Sequence, residues 1–189
     1  MENNTSISYL ALLRGINVGG NNLIKMPDLK SAFQEMQFDN VSTYIQSGNV
    51  IFRSPIKDKS LIKSTIETHL NRLYNYTGEV AIITGMELEK VINEAPKNFG
   101  HKPAEFRYDV LFLLNPFTPD EALNQLKVRE GVDEAFAGPG VVYFSRLISR
   151  AGQSYLSKVV SLPIYKKMTI RNWNTTSRLY NLMAPDAML

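Results

Sequence analysis

Two β-rich runs, Val41-Ser42-Thr43-Tyr44-Ile45 and Val50-Ile51-Phe52, stand on either side of the break Gln46-Ser47-Gly48-Asn49. A glycine-containing break of this length between β-prone runs reads as a hairpin, which commits two strands to antiparallel pairing. The flanking segments then leave few arrangements. Ile7 to Leu13 reads as a mostly buried strand. Pro27-Asp28 opens a helix with apolar positions at Leu29, Phe33 and Met36. Proline fits a first helical turn and aspartate fits the positive helix start. Beyond the hairpin, Leu61, Ile62, Ile66, Leu70 and Leu73 follow helical spacing. Glu79 to Thr84 is a further strand and Glu87 to Asn93 a short helix. The order βαββαβ is the ferredoxin-like motif. The expectation is an α+β chain whose residues 1–96 form a ferredoxin-like subdomain.

Residues 97–189 begin the same way. Tyr108 to Leu114 is a strand, Thr118-Pro119 opens a helix to Lys127, and Val132 to Phe136 is a strand. Gly138-Pro139-Gly140 turns the chain into Val141-Val142-Tyr143-Phe144. Each of the pairs Val41/Val50 and Val132/Val141 brackets a glycine-containing turn at the same separation, which points to a degenerate duplication of one βαββ unit. The last quarter departs from the repeat. Tyr155, Leu156, Val159, Val160 and Leu162 predict a helix ending at Pro163. Thr169 to Met183 predicts a second, capped by Thr169 and with Trp173 anchored in the core. A related βαββ subdomain with C-terminal helices and no fourth strand is expected.

Composition limits the chemistry. A chain of 189 residues, 44% hydrophobic and 21% charged, can bury a core without covalent staples. The absence of cysteine excludes disulfides and thiolate chemistry. No apolar run approaches the roughly 20 residues of a membrane helix. The polar opening Met1-Glu2-Asn3-Asn4-Thr5-Ser6 lacks a secretory pattern. A cytoplasmic protein without membrane association is expected. Charge is unevenly spread: residues 1–134 carry fourteen basic and seventeen acidic side chains, whereas Ala135 to Pro185 contains seven basic residues and no acid. Such a window suits a surface that does not repel anions, or simply a lysine-decorated face.

The connection after the first strand carries the main candidate site. Twelve residues separate Arg14 from Pro27, against four between Leu114 and Pro119. A plain strand-to-helix turn takes roughly 2 to 6. The longer connection holds Gly15, Asn17, Gly19, Gly20 and Asn21, residue types that admit left-handed backbone and close ligand approach. In the expected sheet, Gln46, Ser47, Gly48 and Asn49 lie at the same end, as does the start of the following helix. Gly15 and Gly20 have P-loop spacing, but Asn21-Asn22 stand where lysine and a hydroxyl are needed, so that reading fails. His69, in a helix, and His101, in a loop, have no ligand-spaced partners, and no metal or cofactor is expected. A second cluster is Arg171, Asn172, Trp173 and Asn174, where the indole could stack against a base or sugar or could anchor the last helix.

The runs Ala11-Leu12-Leu13-Arg14-Gly15-Ile16-Asn17-Val18-Gly19-Gly20 with Lys25-Met26, Thr43-Tyr44-Ile45-Gln46-Ser47-Gly48-Asn49-Val50 with Phe52, and Arg171-Asn172-Trp173-Asn174-Thr175 resemble domain-of-unknown-function family 1697. These are mostly bacterial proteins of about this length, and the resemblance covers nearly the whole chain. It implies an α+β fold with two subdomains, the first ferredoxin-like, and implies no activity, substrate or cofactor. Three readings of function follow. The first is a protein that binds a phosphate-bearing small molecule or nucleic acid at the Arg14 loop. The second is a small transferase or hydrolase using the same cluster, and the third a protein-interaction module.

Overall fold

The structure, a computed structural model, describes residues 6–17 and 23–184. The chain splits into two compact units, Met1–Gly85 and Met86–Leu189. In the first, the order is β1 (Ile7–Leu13), α1 (Met26–Glu35), β2 (Asp39–Tyr44), β3 (Asn49–Ser54), α2 (Lys59–Tyr74) and β4 (Val80–Thr84). The sheet runs β2-β3-β1-β4 with every neighbour antiparallel.

Tyr9, Ala11 and Leu13 alternate onto one face of β1 and pack with Phe33, Phe52, Ile62, Ile66 and Leu70. Alternation delivers every second strand residue to that face, and i, i+4 spacing delivers Ile62, Ile66 and Leu70 from one side of α2. Each such side chain, fully buried, contributes roughly 1.5–3 kcal/mol. Leu61 and Leu73, which the helical spacing also selects, fall off that stripe and are exposed. The Asp58 side chain caps α2 by accepting from the Ser60 and Leu61 N–H groups, and Asn75 closes it with left-handed backbone.

The second unit holds α3 (Gly85–Asn93, its first residue shared with the first unit), β5 (Phe106–Leu113), α4 (Pro119–Gln125), β6 (Asp133–Gly138) and β7 (Val141–Leu147). Three short 3₁₀ segments over 148–167 follow, then β8 (Met168–Asn172) and α5 (Trp173–Met183). The strand order is β6-β7-β5-β8, again antiparallel throughout. The protein is thus a mixed α+β molecule with two four-stranded antiparallel sheets.

The last quarter departs from expectation in three places. A fourth strand is present: β8 pairs with β5 from Asp109↔Asn172 to Leu113↔Met168. Thr169 and Ile170 are β-branched, and the unpaired edge of β5 offers them a ladder that a helix would forgo. The helix expected from Thr169 therefore begins at Trp173. The helix expected over 155–162 is a 3₁₀ segment, Leu156–Ser161. There the buried residues are Leu156 and Val159, an i, i+3 pair that a 3₁₀ turn aligns without a longer helix.

The two central strands end alike. Leu13 N–H donates to Gly48 O (2.8 Å) and Arg14 N–H to Glu79 O (3.1 Å). One hundred residues later, Leu113 N–H donates to Gly140 O (3.1 Å) and Leu114 N–H to Lys167 O (2.9 Å).

Candidate functional site

Because β3 runs antiparallel to β1, the hairpin between β2 and β3 lies where β1 stops, beside Arg14. Gly48 has φ +70°, and a Cβ there would overlap Ile16 Cγ2 and stand 2.9 Å from Leu13 Cβ. Asn49 is fully buried, its Nδ2 donating to Tyr44 O and to Ser47 Oγ, both at 2.9 Å. Asn17 has φ +52°. Its Nδ2 donates to Ile24 O and to Gln46 O, both at 3.0 Å, and its Oδ1 accepts from Ile24 N–H at 2.9 Å. One side chain therefore ties both ends of the long connection to the hairpin. Asn17, Gly48 and Asn49, candidates of the site, make these contacts within the frame itself.

Arg14 and Ser47 are half-buried and Gly15 is exposed. The Arg14 carbonyl accepts from the Tyr76 hydroxyl at 2.8 Å. Gly19, Gly20 and Asn21 lie outside the described residues. α1 starts at this end, and Lys25 at its N-cap supplies no side-chain hydrogen bond. Glu67 on α2 accepts from Val80 N–H at 2.8 Å. Burial raises its carboxyl above the usual range, against that hydrogen bond and Lys63.

Arg171, Asn172, Trp173 and Asn174 lie in the second unit, at the junction of β8 and α5. Arg171 is buried, its Nη1 donating to Thr169 Oγ1 (2.9 Å) and Ile170 O (2.8 Å). The helix cap is Asn172, not Thr169: its Oδ1 accepts from Thr175 N–H at 2.7 Å. Thr169 sits within β8 instead. The half-buried Trp173 meets Phe99 edge-to-face, centroids 5.2 Å apart, and Asn174 is exposed. Of the seven cations in the acid-free window, Arg146 and Arg171 are drawn into the fold, while Arg150, Lys158, Lys166, Lys167 and Arg178 are exposed.

Sequence reasoning passed over two features of this unit. One is a cavity of about 530 Å³ between the 96–102 segment and the sheet face carrying Phe106, Tyr108, Glu134, Phe136 and Ser145. Its residues are spread over four segments, and only the alternation of Phe106 with Tyr108 and Glu134 with Phe136 hinted at a shared face. The other is a buried charge cluster. Asp109 pairs with Arg146 at 3.6 Å, and Asp133 lies opposite Arg146 in the register. Asp133 Oδ2 accepts from the Arg129 and Tyr155 N–H groups. Burial raises the Asp109 carboxyl, with Arg146 and Arg107 opposing. Among the described residues no group of three or more histidines and carboxylates is placed to hold a metal, and no helix is long and apolar enough to cross a membrane.

Two four-stranded antiparallel sheets, each braced by helices and with polar frames at loop ends, define the class as a mixed α+β protein. Residues 7–144 match the family described as "Protein of unknown function (DUF1697)", and the chain belongs to that family. Among solved structures it is similar to that of the conserved bacterial protein SP0830 from Streptococcus pneumoniae. The two share 23% identity over 94% of this chain and 99% of that one, with a TM-score of 0.82. That likeness establishes a common fold. No curated protein matches the chain.

Proposed function

We propose that this is a cytoplasmic protein that binds an anionic or polar ligand at the Arg14 end of the first sheet. The ligand class is a phosphate-bearing small molecule or a nucleic acid. The observation that carries the reading is the Asn17 side chain, three residues beyond Arg14, which bonds both Ile24 and Gln46 and so ties the far end of the connection to the hairpin. A frame set before binding lowers the ordering cost of the ligand complex. Arg14 supplies charge. Gly15 and Ser47, with Gly19, Gly20 and Asn21, supply small and polar groups of the kind that accept close approach. The start of α1 adds N–H groups and dipole that a side chain does not cap. Arg171, Asn172, Trp173 and Asn174 are read as a second polar segment serving the same ligand class.

The architecture supports a further reading, that the first unit is a ferredoxin-like βαββαβ subdomain and the second its degenerate duplicate. The support is the shared strand order and the paired hydrogen bonds of Leu13 and Leu113 and of Arg14 and Leu114.

The test is a low-salt binding screen with a nucleotide panel and labelled oligonucleotides, on wild type and Arg14→Ala. Binding should weaken with salt, steeply for nucleic acid because neutralised phosphates release counterions, and Arg14→Ala should lose it. Failure of both probe sets to bind at low salt overturns the proposal.

A further inference from the structure

The cavity of the second unit differs in chemistry from the Arg14 frame. Its floor is a sheet face. Tyr108 on β5, Ser145 on β7 and Glu134 on β6 form one row across the three strands, since Tyr108 pairs with Ser145 and Glu134 with Ser145. Phe106 flanks that row on one side and Phe136 on the other, the latter 42% exposed although it is a large apolar ring. A phenylalanine standing open on a sheet face beside a cavity offers a π-surface that the fold itself does not cover.

The opposite wall is the 96–102 segment. Two tight turns shape it, Phe99 N–H donating to Pro96 O (2.9 Å) and His101 N–H to Asn98 O (3.1 Å). Phe99 packs edge-on against Tyr108 at 4.9 Å and against Trp173 at 5.2 Å. Gly100 has φ +85°, and a Cβ there would overlap Trp173 Cδ1 and Nε1. The wall is thereby locked onto the indole. From it Lys97, His101 and Lys102 border the cavity, all exposed. Glu134, which accepts from Ser145 Oγ at 3.4 Å, is the one carboxylate among the cavity's lining residues.

We propose that this cavity binds a planar heteroaromatic anion, of which a nucleoside monophosphate is the type. Its volume lies in the range of about 300–1,000 Å³ typical of small-molecule sites. The base stacks on Phe136 and Tyr108, a contact open to any base because every base has a π-face. Lys97 and Lys102 meet the phosphate through charge-assisted hydrogen bonds. Glu134 is placed to accept from an exocyclic amine of the base. Lys102 already pairs with Glu105 at 3.6 Å, but an apolar peptide would still desolvate the exposed Lys97 ammonium and the Glu134 carboxylate with no opposite charge to meet them, which favours the anionic ring. The inference concerns a different unit from the Arg14 frame, so each can fail without the other.

The chain's single tryptophan provides the readout, because Trp173 touches the Phe99 wall. AMP, adenosine and orthophosphate are titrated separately while Trp173 fluorescence is followed, with calorimetry in parallel. Expected is a saturable change with AMP, weaker with adenosine or orthophosphate alone, and reduced by added salt. Phe136→Ala and the double variant Lys97→Ala with Lys102→Ala should each raise the apparent Kd about tenfold or more. These side chains are exposed, so circular dichroism and melting should match wild type. Arg14→Ala should leave the AMP titration reported by Trp173 unchanged, whatever binding it removes from the Arg14 frame of the other unit. No saturable signal and no heat with millimolar AMP overturns the proposal, as does binding that Arg14→Ala abolishes and the cavity variants leave intact.

Discussion

Gly48 lies against Ile16 with no room for a side chain: a Cβ built on it would overlap Ile16 Cγ2, and its φ is +70°. The hairpin loop therefore closes onto the residue two places beyond Arg14, and the two segments of the candidate site share one packing contact.

Gly48→Ala combines left-handed strain, roughly 1–2 kcal/mol, with overpacking of typically 1–3 kcal/mol. Urea unfolding should show a loss of about 2–5 kcal/mol. Gly15→Ala is the control, since Gly15 has φ +69° but no atom within 4 Å of where a Cβ would stand. It should lose only the strain. Equal losses for the two variants would remove the packing argument.

Asn17→Ala strips partners from Ile24 N–H, Ile24 O and Gln46 O together. Leaving the part-buried Ile24 N–H and C=O unpaired costs about 1–3 kcal/mol. Hydrogen exchange at the Ile24 amide should accelerate, and the thermal midpoint should fall. An amide that exchanges as slowly as in wild type would show that the clamp does not hold the loop.

Ile45 stands at the hairpin tip with φ +48° and is 48% exposed, an unusual conformation for a β-branched residue. Asparagine tolerates that backbone, so Ile45→Asn should stabilise the protein by about 1 kcal/mol. Chemical denaturation measures it. A destabilised variant would mean that the Ile45 side chain makes apolar contacts outweighing the strain.

Asp109 carries a pH signature. Its folded pKa is raised, chiefly by burial. A raised carboxyl contributes stability fully present below its unfolded value, about 3.9. That contribution disappears as pH rises through the folded value. The stability of wild type relative to Asp109→Asn should therefore fall on going from about pH 3 to about pH 7, as the buried carboxyl ionises. A relative stability of wild type that is independent of pH, or that rises with pH, contradicts the assignment.

The first sheet was legible in the sequence because its signals are local. Strand alternation in Ile7 to Leu13, helical spacing in Ile62, Ile66 and Leu70, and the Ser47-Gly48 break each report on a few neighbouring residues. Antiparallel geometry then places Arg14 beside the hairpin. The fourth strand of the second sheet was not legible. Met168–Asn172 carries too few residues to separate strand from helix by periodicity, and the edge of β5 decides the outcome.

By itself the sequence determined that two βαββ runs form, where their turns fall, and that a long glycine- and asparagine-rich connection follows Arg14. Tertiary structure decided what those residues do. The sequence marks Asn17 only as a polar residue of the connection, and the fold shows its side chain bonded to Ile24 and Gln46. Phe136, Tyr108 and Lys97 read as unrelated until one sheet face and one turn gather them around a cavity. Periodicity is a property of neighbours along the chain. Hydrogen-bond partners and cavity walls are set by residues distant in sequence, and only packing brings those together.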